Sequence, residues 1–450
     1  MRSHRVEVRA DAELRRHLAG LLPSLPVSSG AEPEPELEPA QADALLARIV
    51  WSRVVEPGAA VAGILIACLG AGRAIDLVAS GASGSELCTV LQGHGEDRVT
   101  ARQAAAAVKR WVPRLDRAAV VEDITRARAC GIRTIVPGEE QWPDALDDLG
   151  AHAPLMLWVR GDTALLRSPA LAVVGARACT GYGSHVTAEL TSDACATGLT
   201  IISGAAYGVD AVAHRAALAL HTPTIAVLAG GADRPYPSAH AHMLEQIGEA
   251  GAVCSEMVPG SAPTRWRFLQ RNRVIAALSR ATLVTEAGPR SGSLNTAGHA
   301  AELGRALGAV PGPITSAASV GCHRLIREYG ASLVSNGAEL RELLGISDAW
   351  GGGIDGYGLS SIDDAGGASA GVGVDGAADS HVSRESALHR RVIDALPLRG
   401  ARAASDVARL AGIAVDEVQA VLAELELLGN ISRRETPEAA ETHWALNRGQ

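Results

Sequence analysis

Between residues 130 and 345, short apolar runs alternate with stretches whose apolar positions recur at helical spacing. The runs are Arg133 to Pro137 (RTIVP), Ala170 to Ala176 (ALAVVGA), Leu199 to Gly204 (LTIISG), Thr224 to Gly231 (TIAVLAGG), Ala252 to Glu256 (AVCSE), Ala281 to Ala287 (ATLVTEA) and Ala306 to Gly312 (ALGAVPG). Short apolar strands separated by helices predict βαβ units, hence an α/β fold around a mainly parallel sheet buried on both faces. Residues 42–115 keep a helical period, broken at Pro57-Gly58 and Gly70, and predict a small helical domain. The sheet domain is then expected over 116–345. Residues 385–450 predict three helices with the turn Gly412 to Asp416 between the last two, followed by a β-wing in GNISRRETPEAAETHWAL. Two stretches lack a core-forming pattern. Residues 1–41, Pro- and Glu-rich from 22 onward, are expected to be a disordered extension, and the Gly-, Ala-, Ser- and Asp-rich residues 346–384 a flexible linker.

Composition narrows this. Aromatic residues make up 3% of the 450, with a single Phe (Phe268), so Ala, Val, Leu and Ile must fill the core. The longest apolar run, Val61 to Leu69, falls short of the ~20 residues that span a bilayer. The charged N-terminus lacks the apolar centre of a signal peptide, so a cytoplasmic location and no membrane partner are expected. Seven scattered cysteines without a CxxC pair predict packed thiols rather than a disulfide frame or a zinc site. No metal or other cofactor is expected. The net charge of −9 gives no general attraction for nucleic acid, yet arginines crowd into one stretch, RWRFLQRNRVIAALSRATLVTEAGPRSGSLNTA, from Arg265 to Ala297.

Open α/β sheets deliver ligands to the carboxyl ends of their strands. After ALAVVGA come Arg177 and a helix opening with Gly181 and Gly183. This is not the GxGxxG of a dinucleotide site, though a helix start offers N–H groups to a phosphate, and Arg177 either adds a bidentate contact or is an ordinary surface arginine. After LTIISG, the turn SGAAYG leads to Asp210 and His214, spaced for one helical face, either facing a ligand or hydrogen-bonded to fix the helix. Asp233, Arg234 and Tyr236 approach the same edge after the next strand. In RWRFLQRNRVIAALS, Arg267 and Arg271 share a face, while Arg273 points elsewhere. A helix bearing arginines beside a sheet edge reads as an electropositive wall. The turn Gly288-Pro289-Arg290-Ser291-Gly292 before a helix starting near Ser293 reads as an anion nest, because a simple N-cap needs neither Arg290 nor two glycines. The tail's last helix carries Asp416, Glu417, Glu424 and Glu426, which repel phosphate, so protein contact suits it better than DNA.

AVVGARACTGYG, ISGAAYGVDAVAH, LAGGADRPYP, RNRVIAALS, EAGPRSGSLNTA and GCHRLIREYGASLV are similar, in order and spacing, to the DNA-processing protein A family, DprA or Smf. The resemblance covers about residues 130–345; the tail resembles the family's winged-helix domain, and residues 42–115 its sterile-alpha-motif or helix-hairpin-like domain. It implies an extended Rossmann-like fold and a protein that binds single-stranded DNA, forms a homodimer and helps load the RecA recombinase in natural transformation, with no catalysis. Carried over by motif, the DNA-facing positions are Gly175 and Arg177, Gly204, Arg271 and Arg273, and Arg290, Ser291, Gly292 and Ser293. Tyr207 stands where the family usually has Arg, His240 where it often has Asn, and Leu269 where it has Pro; Tyr207 could stack on a base. Two other functions compete. One is a nucleotide-binding enzyme like the LOG phosphoribohydrolases, with SGSLNTA and Glu302 at the reacting site, although the PGGxGT loop of that family is missing. The other is a scaffold with a vestigial Rossmann site.

Overall fold

The computed structural model describes residues 9–23, 37–346 and segments between 389 and 446. They form two compact units, divided after Ile346. The first begins with seven helices: α1 (Ala12–Ala19), α2 (Pro39–Val54), α3 (Ala60–Leu69), α4 (Ala71–Ala79), α5 (Gly84–Gly93), α6 (Ala101–Trp111) and α7 (Arg117–Ala129). Their starts are written in the sequence: Asp11 caps α1, and Ser83 with Glu86 and Thr100 with Gln103 close reciprocal capping boxes on α5 and α6.

The rest alternates: β1 (Ile132–Ile135), β2 (Leu157–Gly161), β3 (Ala170–Val174), α8 (Gly181–Ala196), β4 (Thr200–Ser203), α9 (Val209–Ala219), β5 (Thr224–Leu228), α10 (Ala241–Ala250), β6 (Ala252–Ser255), α11 (Arg265–Ala277), β7 (Ala281–Val284), α12 (Ser293–Glu302), β8 (Ala306–Ala309), α13 (Val320–Glu328), β9 (Ser332–Leu333) and α14 (Gly337–Leu343). The strands make one sheet in the order β1-β2-β6-β5-β4-β3-β7-β8-β9. From β6 to β9 every pairing is parallel; β1 and β2 extend the sheet antiparallel beyond β6. Along β3, side chains alternate between two cores. Leu171 and Val173 pack with α8 and α9, whereas Ala170, Ala172 and Val174 pack with Val274 and Ile275 of α11 and Ala297 of α12. From β3 the chain winds through β4, β5 and β6 to one side, then returns to β7 beside β3. The topological switch point therefore lies between the carboxyl ends of β3 and β7, where such folds open a crevice.

Three expectations need correction. Part of the extension taken as disordered is α1, which buries Leu14 and Leu18, with Leu21 buried just after it, in the core shared with α2. Residues 24–36 lie outside the described residues. The helices after residue 41 do not form a separate body: Trp51, Leu65 and Ile124 share a core with Trp158 of β2 and Leu228 of β5, and the expected break near 115 lies inside one unit. Strands β2 and β9 were not anticipated as strands. β9 supplies only two residues, too few for a legible period, and β2 (LWVRG) ends in Arg160 and Gly161 instead of running apolar throughout. Among the described residues no single helix is long and apolar enough to cross a membrane; α3 and α4 would do so only as a pair, which is bent by 114°.

The second unit contains β10 (Arg402–Ala403), α15 (Ala404–Ala411), α16 (Val415–Leu427), β11 (Ile431–Arg434) and β12 (His443–Leu446). The strands pair antiparallel in the order β10-β12-β11, with Val407, Leu422, Ile431 and Trp444 buried beneath them. The β11-β12 pair is the expected wing, and Arg433 lies 5.0 Å over the Trp444 ring. The expected linker and most of the first tail helix lie outside the described residues.

Candidate nucleic-acid interface

The loops after β3, β4 and β7 meet at the switch point and are knit backbone to backbone. Ala176 N–H donates to Glu286 O at 2.7 Å and Val209 N–H to Ala176 O at 3.2 Å. Gly175 is required by this closeness, since a Cβ there would lie 2.6 Å from Glu286 O and 2.6 Å from Val209 Cγ2. Its role is packing. The amino end of α8, read above as open to phosphate, is filled from within. The Glu286 carboxylate, 2% exposed, accepts from Thr180 N–H and Thr180 Oγ1–H, both at 2.7 Å, and takes the favourable end of the helix dipole. Gly183 makes room for it, because a Cβ there would lie 2.3 Å from Glu286 Oε2.

Beside this plug stands Arg271. Its Nη1 donates to Gly204 O at 2.8 Å and to Val227 O, and its Nε donates to Asn272 Oδ1 at 3.1 Å, while Nη2 takes no part in these bonds. The guanidinium thus caps the carboxyl ends of β4 and β5 and is only 6% exposed. It lies flat on Gly204, where an added Cβ would stand 2.0 Å from Nη1. Burial lowers its pKa to about 10, against the field of Asp210, so it stays charged at neutral pH. Phe268, one turn before, lies between two arginines: Arg177 Cζ is 5.0 Å and Arg271 Cζ 6.0 Å from its centroid, with Tyr236 at 5.5 Å. Arg177 itself is exposed.

Asp210 and His214 are not a pair. Asp210 Oδ2 accepts from Gly204 N–H (3.2 Å) and Ala206 N–H (3.3 Å), bracketing Ala205, which holds a left-handed φ of 52°. Burial pushes its carboxyl up, with Arg271 opposing. The Ala205 carbonyl accepts from His240 Nδ1 at 2.9 Å, so this strained loop is held from both sides. His214 reaches Thr224 instead. The Thr224 hydroxyl donates to Ile201 O, so His214 Nδ1–H donates to Thr224 Oγ1 at 2.8 Å and Nε2 is left bare in the core. Burial drives its pKa down to about 3. The unfolded chain therefore takes up a proton between pH 6.5 and 3 that the folded chain refuses, and stability falls as pH falls through that window. His214→Gln is expected to remove this dependence, which amounts to about 2 kcal/mol by pH 5; urea midpoints of both proteins from pH 7 to 5 measure it, and parallel curves would refute it.

The nest at the start of α12 is formed by Arg290 to Ser293. The N-cap residue Gly292 makes no side-chain bond, but Ser291 Oγ accepts from Ser293 N–H at 3.4 Å; the Ser291 and Ser293 hydroxyls bond each other at 2.7 Å, and Asn272 Nδ2–H donates to Gly292 O at 3.3 Å, tying the nest to α11. Arg290 is exposed, and a Cβ on Gly292 would meet nothing within 4 Å, so the ground above the helix start is open.

The arginine run therefore disperses. Arg273 does not face the crevice: it is 3% exposed and its Nη2 contacts Glu256 Oε1 at 2.6 Å. The motif placed it with Arg271, but two residues along a helix turn it ~200° away, toward Glu256. Arg267, expected beside Arg271, is paired bidentately with Glu56 at 2.8 and 2.9 Å, and Glu56 also meets Arg114 at 2.9 Å. Burial opposes ionisation of Glu56, and Arg267 and Arg114 overcome it, holding the carboxyl below its usual range. Arg280 sits at the opposite edge, before β7. Glu56 and Glu256 carried no local signal, since they stand 211 and 17 positions from their arginines, beyond the reach of one helical face. Phe268 did carry one, as the sole Phe in an arginine-rich turn. Glu302, proposed for an enzyme, ends α12, a helix length from the nest, beside His299 at 3.2 Å.

The geometry matches known proteins. A family model described as DNA recombination-mediator protein A covers residues 133–345. A DNA processing protein DprA of Mycobacterium tuberculosis (strain H37Rv) is 39% identical over 390 residues, 84% of this chain and 90% of that protein. The chain belongs to the DprA family. The solved structure of DprA from Streptococcus pneumoniae aligns with a TM-score of 0.53 and 30% identity, covering 66% of this chain and 96% of that one. DprA from Helicobacter pylori, solved to describe its single-stranded DNA binding mode, aligns at a TM-score of 0.44 with 30% identity over 47% of this chain and 95% of that one. The likeness to the Streptococcus pneumoniae protein is one of fold.

Proposed function

We propose that this DprA-family chain binds single-stranded DNA across the carboxyl edge of its sheet and mediates recombination by delivering the strand to RecA in natural transformation. It would act by binding rather than catalysis, in the cytoplasm and as a homodimer. The observation that carries the binding is the ionised Arg271, held over the carboxyl ends of β4 and β5, with exposed Arg177 on the same Phe268 ring and Asn272 tying the same helix to the nest Arg290 to Ser293. A rigid cation flanked by a flexible one and by a helix start is suited to a chain of phosphates. Glu286 already occupies the amino end of α8, where a dinucleotide would place its pyrophosphate, which disfavours a nucleotide enzyme. The RecA and dimer roles rest on membership of the family.

Fluorescence anisotropy of a labelled mixed-sequence oligonucleotide at several salt concentrations tests the binding. Salt-sensitive binding that prefers single strand over duplex is expected. Arg177→Ala and Arg290→Ala should each weaken it for all sequences and reduce the magnitude of the log–log salt slope by about 0.7, one phosphate contact on a single strand. Unchanged affinity and slope in both variants would remove the groove.

A further inference from the structure

The chain has few aromatic side chains; among the described ones Trp266, Phe268 and Tyr329 are half-buried, and the rest divide into buried and exposed. Trp51, Trp111, Trp142 and Trp158 are at most 3% exposed. Among the described residues, the exposed aromatic side chains are tyrosines at the carboxyl edge of the sheet: Tyr182 (43%), Tyr207 (49%) and Tyr236 (47%). Tyr182 is bound by its hydroxyl to Pro311 O. The other two share a different construction. Tyr207 follows β4 and rests against His240 at a centroid distance of 4.8 Å and 69°. Tyr236 follows the neighbouring β5 and rests against Phe268 at 5.5 Å and 53°. Each exposed ring is braced by a second ring that is itself fixed. His240 is 4% exposed and bonded to the strained Ala205 carbonyl, while Phe268 carries Arg177 over its face.

We propose that Tyr207 and Tyr236 are two stacking platforms for unpaired bases, standing on adjacent strand ends beside the phosphate-binding arginines. Water does not favour an exposed ring, and a braced one loses little freedom on binding, so these are surfaces prepared for a flat apolar ligand. Every base presents such a face, and only in a single strand is it free. The platforms would make the site select single strand over duplex by the bases themselves, not by charge. This proposal rests on the single-strand reading above, and its test separates the two.

The probes are two labelled oligonucleotides of equal length and phosphate count, one of mixed sequence and one with an abasic tetrahydrofuran backbone. The wild-type protein is expected to bind the base-bearing strand more tightly. Tyr207→Ala and Tyr236→Ala should each lose about tenfold in affinity for it while binding the abasic strand as before. The salt slope should not change, because no phosphate contact is removed. Tyr207→Phe and Tyr236→Phe should retain wild-type affinity, and all four should melt with the wild type. Equal wild-type affinity for the two strands, or alanine variants that weaken both strands alike, would overturn the platforms and leave the phosphate groove standing. Failure of the wild type to bind either strand would overturn both.

Discussion

Gly204→Ala is expected to lower single-strand affinity by at least tenfold and to destabilise the fold by about 2–4 kcal/mol. A Cβ at this position would lie 2.0 Å from Arg271 Nη1 and 2.3 Å from Cζ, so the guanidinium has to leave its seat. Leaving forfeits the bonds to Gly204 O and Val227 O and strands both carbonyls at the ends of β4 and β5. It also moves the charge that the proposed groove is built around. Arg271→Lys should restore little, since an ammonium cannot span the two carbonyls and Asn272 in one plane. Urea denaturation and anisotropy on the same variants measure the two effects. A Gly204→Ala protein with wild-type stability and affinity would show that the flat seat does not place Arg271.

Arg273→Ala should have a different signature: a loss of about 3–5 kcal/mol in stability, with the affinity of the folded protein for single strand within about twofold of wild type. The cause is Glu256. Its carboxylate is buried, burial already pushes its pKa up against the pull of Arg273, and removal of the guanidinium leaves an unpaired charge in the core. The variant's deficit should shrink as pH falls and Glu256 takes up a proton in the folded state. Replacing the partner as well, with Glu256→Gln, should recover part of the stability. Lost DNA affinity at full stability would return Arg273 to the groove.

These two arginines, two positions apart, show where local sequence stops being informative. The RNR segment is recognisable as a motif and its helical phase separates Arg271 from Arg273, but phase alone does not say which face meets the crevice. That depends on what lies opposite: Gly204 and Val227, 67 and 44 positions away, for one, and Glu256 for the other. The same limit explains the amino end of α8. Its glycines and polar residues resemble an anion site, and only the packing of β7 beside β3 shows that Glu286 is the anion already there. The loop after β4 was legible as a turn, whereas the left-handed Ala205 and its brace from His240 depend on a residue 35 positions on.

The sequence by itself determined the layer architecture, the parallel winding of β3 to β8 and the concentration of arginines, glycines and small hydroxyls at strand ends. Those features rest on periodicity and short-range chemistry, which neighbouring residues impose on one another. Tertiary structure alone decided which cations are neutralised by Glu56 and Glu256, which anion site is filled by Glu286, and that α1 and the helices after it share the core of the sheet. Charge pairing and burial depend on distances across the fold, and residues 17 to 211 positions apart become neighbours only when the sheet closes over its helices.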